Sequence, residues 1–366
     1  MRIRVLHLVN GEHYAGAERV QDHLAMALPE FGYEVHFACV KPVLFRERCF
    51  CPKELVHEVP MGSRFDLRGS RRVAELARRL DARLLHTHTP RSAMLGAATA
   101  VRTGLPRVHH IHSPTSRDTQ TPLRNWINAV AERISVSGTR RFIAVSESLG
   151  HWAASWGIPQ RRIVVVPNGV PRHPRPGAVR DADDPVLGVV ALFRPRKGLE
   201  CLLDALALVR ESGVRATLRA VGRFETPEYE SMIRERCVRL GLEDAVEWRG
   251  FQSDVPSELT HMDIFTLPSL YGEGMPMVLL EAMAAGLPGV VSDVEGVPEA
   301  ARHEREALLV PPGNAQALAR ELVRLARDRD LRERMGRAAL ERHAEHFSER
   351  VMARRVAEVY DHVLQA

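Results

Sequence analysis

Residues 264–292 read IFTLPSLYGEGMPMVLLEAMAAGLPGVVS. Two short apolar runs, Ile264–Leu267 and Gly289–Ser292, flank a helical stretch, Pro276–Ala285, so the segment is a strand–helix–strand unit. Strands joined by a helix run parallel, and a parallel sheet needs cover on both faces. Pro276 is expected at the first helical position, with Gly286 just past the end. Glu281 is the only charge on this helix, which is otherwise Pro, Met, Val, Leu and Ala. A lone carboxylate there is expensive to bury unless it is paired or bonded to a ligand. The glycine-containing loop ahead of the helix carries Glu273. It is expected to leave backbone N–H groups and the positive end of the dipole facing outward. That makes an anion site with a carboxylate on each side.

The same rhythm runs through the chain. Strands are predicted at Ile3–Val9, Val35–Val40, Arg83–His86, Arg107–Ile111, Phe142–Val145 and Ile163–Val166, with helices over 16–30, 70–80 and 121–137. Residues 167–185, PNGVPRHPRPGAVRDADDP, have no periodicity and read as a linker. The alternation restarts with Val186–Leu192, Ala216–Val221, Val246–Trp248, Ile264–Leu267, Gly289–Ser292 and Leu308–Val310. The expected class is α/β, with two doubly wound Rossmann-like domains: 1–168, then a linker over 169–185, then 186–347. A helix over 348–366 follows. The 366 residues suffice for two such cores. Ligands of such sheets lie beyond the carboxyl ends of the strands, so both domains are expected to face one cleft.

Composition is that of a globular protein, and no run of 18 uncharged apolar residues occurs. MRIRVLHLVNG reads as a first strand rather than a signal peptide. Cys39, Cys49, Cys51, Cys201 and Cys237 are odd in number and scattered, as in a cytosolic protein with reduced thiols. Cys49 and Cys51 have no sequence neighbours that complete a zinc set. Residues 1–168 carry a balance of +10 and residues 169–366 one of −5. The basic half suits an anionic acceptor, a lipid phosphate or a membrane surface, with solvated helix faces such as RRVAELARRLDAR (71–83) as the plain alternative. Trp126, Ile127, Val130 and Ile134, with Arg124, Arg133, Arg140 and Arg141 nearby, suit peripheral docking or ordinary core packing. The expected location is cytoplasmic, with peripheral contact at the inner face of the membrane. No nucleic-acid partner is expected.

Four segments fall at strand ends or loop-to-helix turns. GEHYAGAE (11–18) lacks the GxGxxG spacing of a dinucleotide fingerprint, but Gly16 permits close approach of backbone to a ligand. LLHTHTP and VHHIHSP place His86, His88, His109, His110 and His112 at two neighbouring strand ends. Alternation puts His110 and His112 on one face and His109 on the other. His112 is the candidate for a catalytic or polar contact, His86 and His88 read as structural, and metal ligation is not expected. In FRPRKGLECLLDAL (193–206), Arg194, Arg196 and Lys197 precede a helix. Cations oppose the dipole there and make sense around a diphosphate. The fourth is the 264–292 segment with DVEGVPE (293–299).

The Glu273-x7-Glu281 pair, the PRKG turn, PNGV before the linker and AGAE near the N-terminus together resemble glycosyltransferase family 4 over nearly the whole chain. The Glu-x7-Glu segment is the specific part. The resemblance implies the GT-B fold and sugar transfer with retention of configuration. It implies that Glu273 contacts the donor sugar's hydroxyls, with the amides of Gly274 and Met275 holding sugar or phosphate. Glu281 would bind the ribose and Lys197 the leaving diphosphate. Gly16 would approach the phosphates, His112 would reach the donor sugar, and Glu299 would lie near the donor. The terminal helix would cross back to the first domain.

Three departures stand out. Leu192 occupies the place of the family's usual Arg, so Arg194 or Arg196 must substitute, with Arg194 favoured. Ala15 replaces the first Gly of GGxE, and Met275–Pro276 replaces Phe-Gly, where proline removes an N–H.

The expected activity is transfer from a UDP- or GDP-sugar to a glycan, lipid-linked or small-molecule acceptor, with no cofactor. Diphosphate charge is met by Lys and Arg, so no metal is expected. With no covalent nucleophile evident, front-face substitution is expected, the leaving phosphate taking the acceptor's proton. The rivals are a sugar-nucleotide epimerase on the same fold and a non-catalytic nucleotide-sugar-binding protein.

Overall fold

The computed structural model describes residues 2–12, 14–61, 68–113, 133, 135–173 and 184–365. They form two compact units: Met1–Gly169 with Glu349–Ala366, and Val170–Ser348. The stripe Trp126, Ile127, Val130 and Ile134, most of the expected 121–137 helix, and linker residues 174–183 lie outside the described residues.

The first unit holds β1 (Ile3–Val9), β2 (Tyr33–Cys39), β3 (Val56–Glu58), β4 (Leu84–Thr87), β5 (Arg107–Ile111), β6 (Arg141–Ala144) and β7 (Ile163–Val165). They form one sheet in the order β3-β2-β1-β4-β5-β6-β7, each neighbouring pair parallel. The chain winds outward from β1, then returns to the other side of it at β4. The loops after β1 and β4 therefore diverge and leave a crevice at the carboxyl edge. Edge strand β3 has no counterpart among the expected strands. It is three residues long and two of them are His57 and Glu58, too short and polar to show a pattern.

The second unit holds β8 (Val186–Val190), β9 (Thr217–Val221), β10 (Val246–Gly250), β11 (Ile264–Leu267), β12 (Gly289–Ser292) and β13 (Ala307–Val310), in the order β10-β9-β8-β11-β12-β13. All are parallel, and the winding reverses between β8 and β11. Strands β11 and β12 are buried on both faces, as their unbroken apolar runs require. Leu187, Leu202, Leu206, Ile264, Val290 and Leu322 form the centre of this core, each fully buried.

The helix Glu349–Gln365 packs in the first unit, its Tyr360 fully buried. Tyr33 donates its hydroxyl to Asp361 at 2.5 Å, and Arg350 pairs with Glu30 at 2.8 Å.

Candidate active site

In the second unit the site grows from the loops after β8 and β11. The chain leaves β8 through Arg194 into a tight turn, Pro195–Lys197, and then the helix Leu199–Glu211. Gly198 joins them at φ +67°, and a Cβ there would stand 2.0 Å from the carbonyl oxygen of Pro268. Only glycine lets the PRKG turn press this closely on the loop after β11. The close approach brings Lys197 Nζ onto Glu273 Oε1. Ser269 donates to the same oxygen at 2.6 Å. Arg196 Nη1 stands 3.7 Å from it and donates to the carbonyls of Tyr271 and Gly272 at 3.3 and 3.2 Å. Burial lowers the Lys197 pKa, with Glu273 opposing the shift; burial lowers that of Arg196 likewise.

Arg194, the favoured substitute for the missing arginine, instead reaches Glu225 at 3.3 Å. It lies in extended backbone ahead of the turn, whereas Arg196 lies inside it. Of the two arginines, the one beside Glu273 is therefore Arg196.

Glu273 is 5% exposed and Glu281 3%. Glu281 sits in the helix Met277–Ala284, which is buried nearly all round. Pro276 caps this helix with ψ 111° instead of taking its first position. The loop ahead of it is zipped to the 293–297 loop by a residue the sequence did not single out. Glu295 Oε2 accepts from the amides of Gly272 and Glu273 at 2.9 and 3.2 Å, correcting the expectation that the loop N–H groups all face outward. Gly296 donates to the Glu273 carbonyl at 2.9 Å, and a Cβ on it would stand 1.7 Å from the Gly274 oxygen. The one available signal was a glutamate before glycine in DVEGVPE; Glu295 holds φ +28°. Gly274 and buried Met275 lie in this zipped loop. Glu299 lies in the short helix Val297–Ala300, its carbonyl accepting from Arg342 at 2.8 Å.

In the first unit, Gly16 opens the helix Gly16–Ala27, with Glu18 folding back to the Ala15 amide at 3.4 Å. Asp22 of this helix accepts from Tyr14 at 2.5 Å and from the amides of Phe50 and Cys51 at 2.7 and 3.0 Å. Asp22, Cys49 and Cys51 thus form an acid–thiol group from residues distant in sequence.

The histidines sit at the crevice edge of β1, β4 and β5. His112 Nε2 meets His88 Nδ1 at 3.0 Å, and His88 Nε2 meets His7 Nδ1 at 3.2 Å. Tyr360 bridges His7 Nε2 at 3.0 Å and His86 Nδ1 at 2.6 Å. His110 stacks on His112 with ring centroids 4.4 Å apart, while His109 turns the other way to Thr87 Oγ1 at 2.8 Å. Burial pushes His112 down to about 4 and His7 to about 3, and holds His86, His88 and His110 well below the ordinary histidine range. All are neutral imidazoles at neutral pH. His7 escaped notice in the sequence because it lies in a first strand whose other residues, Arg4 apart, are all apolar.

Two Asp-x-Asp triplets bear on a metal requirement. Asp181–Asp183 lies outside the described residues, and Asp328 of the second caps the helix Arg329–Arg342 by accepting from the Leu331 amide at 2.8 Å.

Comparison with known proteins places this architecture. The family model for Glycosyltransferase Family 4 matches residues 14–173, and that for Glycosyl transferases group 1 matches residues 175–342. The chain is 33% identical over 296 residues to the phosphatidyl-myo-inositol mannosyltransferase of Mycobacterium leprae, covering 77% of this chain and 74% of that protein. It is 32% identical over 193 residues to the amylovoran biosynthesis glycosyltransferase AmsK of Erwinia amylovora, covering 50% of this chain and 47% of that one. The crystal structure of Anabaena HepE with UDP and glucose shares the fold at a TM-score of 0.83, with 22% identity over 98% of this chain and 100% of that chain. With both parallel sheets and both family models accounted for, the chain belongs to glycosyltransferase family 4 and is a glycosyltransferase of the GT-B fold.

Proposed function

We propose that this chain transfers a hexosyl group from a UDP- or GDP-sugar to a glycan or lipid-linked acceptor, with retention, without a metal ion and in polysaccharide or glycolipid synthesis. The observation that carries it is the Lys197–Glu273 pair with Arg196 beside it, at the carboxyl edge where the second sheet reverses. Cations and a carboxylate held together there match the two charges of a donor coming apart. The bond from the anomeric carbon to the diphosphate breaks, and the electron pair leaves on phosphate oxygen. Lys197 and Arg196 meet that charge, an effect of about 3–4 kcal/mol per donor in comparable sites. Glu273 favours the oxocarbenium-like sugar, as carboxylates do in glycosidases. The acceptor oxygen bonds to the same face of the anomeric carbon, and its proton passes to the departing phosphate.

Glu281 takes the ribose hydroxyls, which is a reason to keep a carboxylate on an apolar helix. Gly274 and Met275 lend amides to the sugar or phosphate, and Arg194 screens the diphosphate from its place on Glu225. The family resemblance assigns Gly16 and His112 of the first unit, and Glu299 of the second, to the donor. A lipid acceptor is supported by the Mycobacterium leprae relative, whose name carries a phosphatidyl-inositol, and a UDP donor by the HepE complex. Peripheral contact with an anionic membrane through the basic first unit goes with that acceptor. Among the described residues no helix is long and apolar enough to cross a membrane.

A thermal-shift screen with UDP- and GDP-sugars tests the donor site, with Glu281→Ala and Lys197→Ala as controls. No stabilisation of the wild type by any nucleotide sugar, or controls that respond like wild type, refutes the assignment. A new nucleotide sugar formed without acceptor points to the epimerase instead.

A further inference from the structure

Two adjacent parallel strands each end in a His-x-His pair: His86 and His88 on β4, His110 and His112 on β5. The register that sets Thr87 against His109 carries His88 level with His110, so the two pairs form one layer at the sheet's carboxyl edge. One ring nitrogen from each of His88, His110 and His112 lies within 4.8 Å of the other two. Hydrogen bonds between imidazoles account for His88 and His112, which face each other at 3.0 Å. They do not account for His110. It is fully buried, and neither of its ring nitrogens has a hydrogen-bond partner among the described residues. A neutral imidazole left this way forfeits both a donor and an acceptor, at a cost that native interiors rarely bear.

We propose that His88, His110 and His112 form a binding site for a borderline divalent ion of the zinc class within the first unit. Three neutral imidazoles are the nitrogen set such ions take, and a His-x-His strand presents both rings on one face. Zinc–nitrogen bonds of about 2.0–2.1 Å set tetrahedral ligand nitrogens about 3.3 Å apart. The His88–His112 separation of 3.0 Å needs only a small opening to match.

Proton bookkeeping closes as well. In one tautomer set that these contacts allow, Tyr360 donates to His86 Nδ1, His7 Nε2–H donates to the Tyr360 oxygen, and His88 Nε2–H donates to His7 Nδ1. That leaves His88 Nδ1 as a bare lone pair facing the site. The proton on His112 Nε2 shifts to its Nδ1 when the ion enters, so both lone pairs meet the ion with no net proton released. The His7–Tyr360–His86 chain is then the outer shell that fixes the His88 tautomer. His112 is the part-exposed member of the three. This site is separate in purpose from any cation for a donor diphosphate, which the Lys–Arg group serves.

The test titrates the metal-free full chain with Co2+ and follows the visible d–d absorption, then displaces it with Zn2+. One equivalent of Co2+ should give an intense tetrahedral band that one equivalent of Zn2+ abolishes. His110→Phe removes the buried nitrogens while filling the same space, and should weaken Co2+ binding at least tenfold without lowering the metal-free Tm. His112→Asn, at a part-exposed position, should weaken it similarly and serves if His110→Phe does not fold. Absence of a stoichiometric band, or binding that survives both substitutions, overturns the site and leaves an adventitious ion only. Because the readout is absorption, the outcome is independent of which sugar the chain transfers, or whether it transfers one.

Discussion

Lys197→Met isolates the pair on which the donor site is built. The side chains of Lys197 and Glu273 are 15% and 6% exposed, so the substitution strands a nearly buried carboxylate. Breaking a buried ion pair by removing one partner costs about 3–5 kcal/mol. Here Ser269 still donates to Glu273 at 2.6 Å and Arg196 remains 3.7 Å away, so the expected loss is smaller, about 2–3 kcal/mol. Glu273→Gln strands an ammonium instead, but the Lys197 stem can turn its head toward solvent, and about 1–2 kcal/mol is expected. The double variant strands neither charge, so its loss should fall short of the sum by about 2 kcal/mol. Trp248 is the one tryptophan between residues 170 and 348, so urea denaturation followed by its red shift, with circular dichroism as the global probe, reports the second unit. The transitions are fitted separately because two units need not unfold together. A Lys197→Met protein whose second-unit midpoint is unchanged, or a double variant that is simply additive, would refute the idea that this pair is a buried, mutually compensating charge.

Gly296→Ala places a methyl 1.7 Å from the Gly274 oxygen, so the donor loop must shift. Loss of nucleotide-sugar thermal stabilisation with a second-unit loss of about 1–3 kcal/mol is expected, and an unchanged thermal shift contradicts it. Tyr360→Phe leaves His7 Nε2 and His86 Nδ1 without their bridging hydroxyl, which should cost the first unit about 2–4 kcal/mol in denaturant titration. His343, whose Nε2 meets the Val170 carbonyl at 3.0 Å, has its pKa lowered by burial. Unfolded, it takes up a proton below about pH 6.5; folded, it resists until lower pH. Its contribution is therefore complete above that value and lost as pH falls. His343→Phe should flatten the stability slope of the second unit between pH 7 and 5 by up to one proton, read from urea midpoints.

Fold and site differed in how far they could be read from sequence. The βαβ alternation was legible because parallel strands buried on both faces must be continuous apolar runs; Ile264–Leu267 and Gly289–Ser292 appear with the expected bounds. Strand β3 was hidden because an edge strand of three residues is too short for any period. At the site, Lys197, Glu273 and Glu281 stood out because a charge in an apolar or positively charged setting is anomalous within a short window. The choice between Arg194 and Arg196 was beyond that window. It turns on one backbone step at the Pro195–Lys197 turn, which spacing alone does not fix. Glu295 and His7 act through partners 22 and 81 residues away, and no local pattern marks such pairings.

The helix Glu349–Gln365 gives the first unit a history as well as a shape. That unit is assembled from two stretches of chain with all of Val170–Ser348 between them. On the ribosome, the second unit can close its sheet while Tyr360 is still unmade. The imidazole layer meanwhile waits without the hydroxyl that joins His7 to His86. Domains usually mature from the N-terminus onward during synthesis. Here the later-made unit is the one free to finish first, and the earlier-made one stays open until residues beyond 348 arrive. Chains that end at residue 348 and are followed by a linker long enough to clear the ribosomal exit tunnel should therefore carry a protease-resistant second unit beside a first unit that is still readily cut.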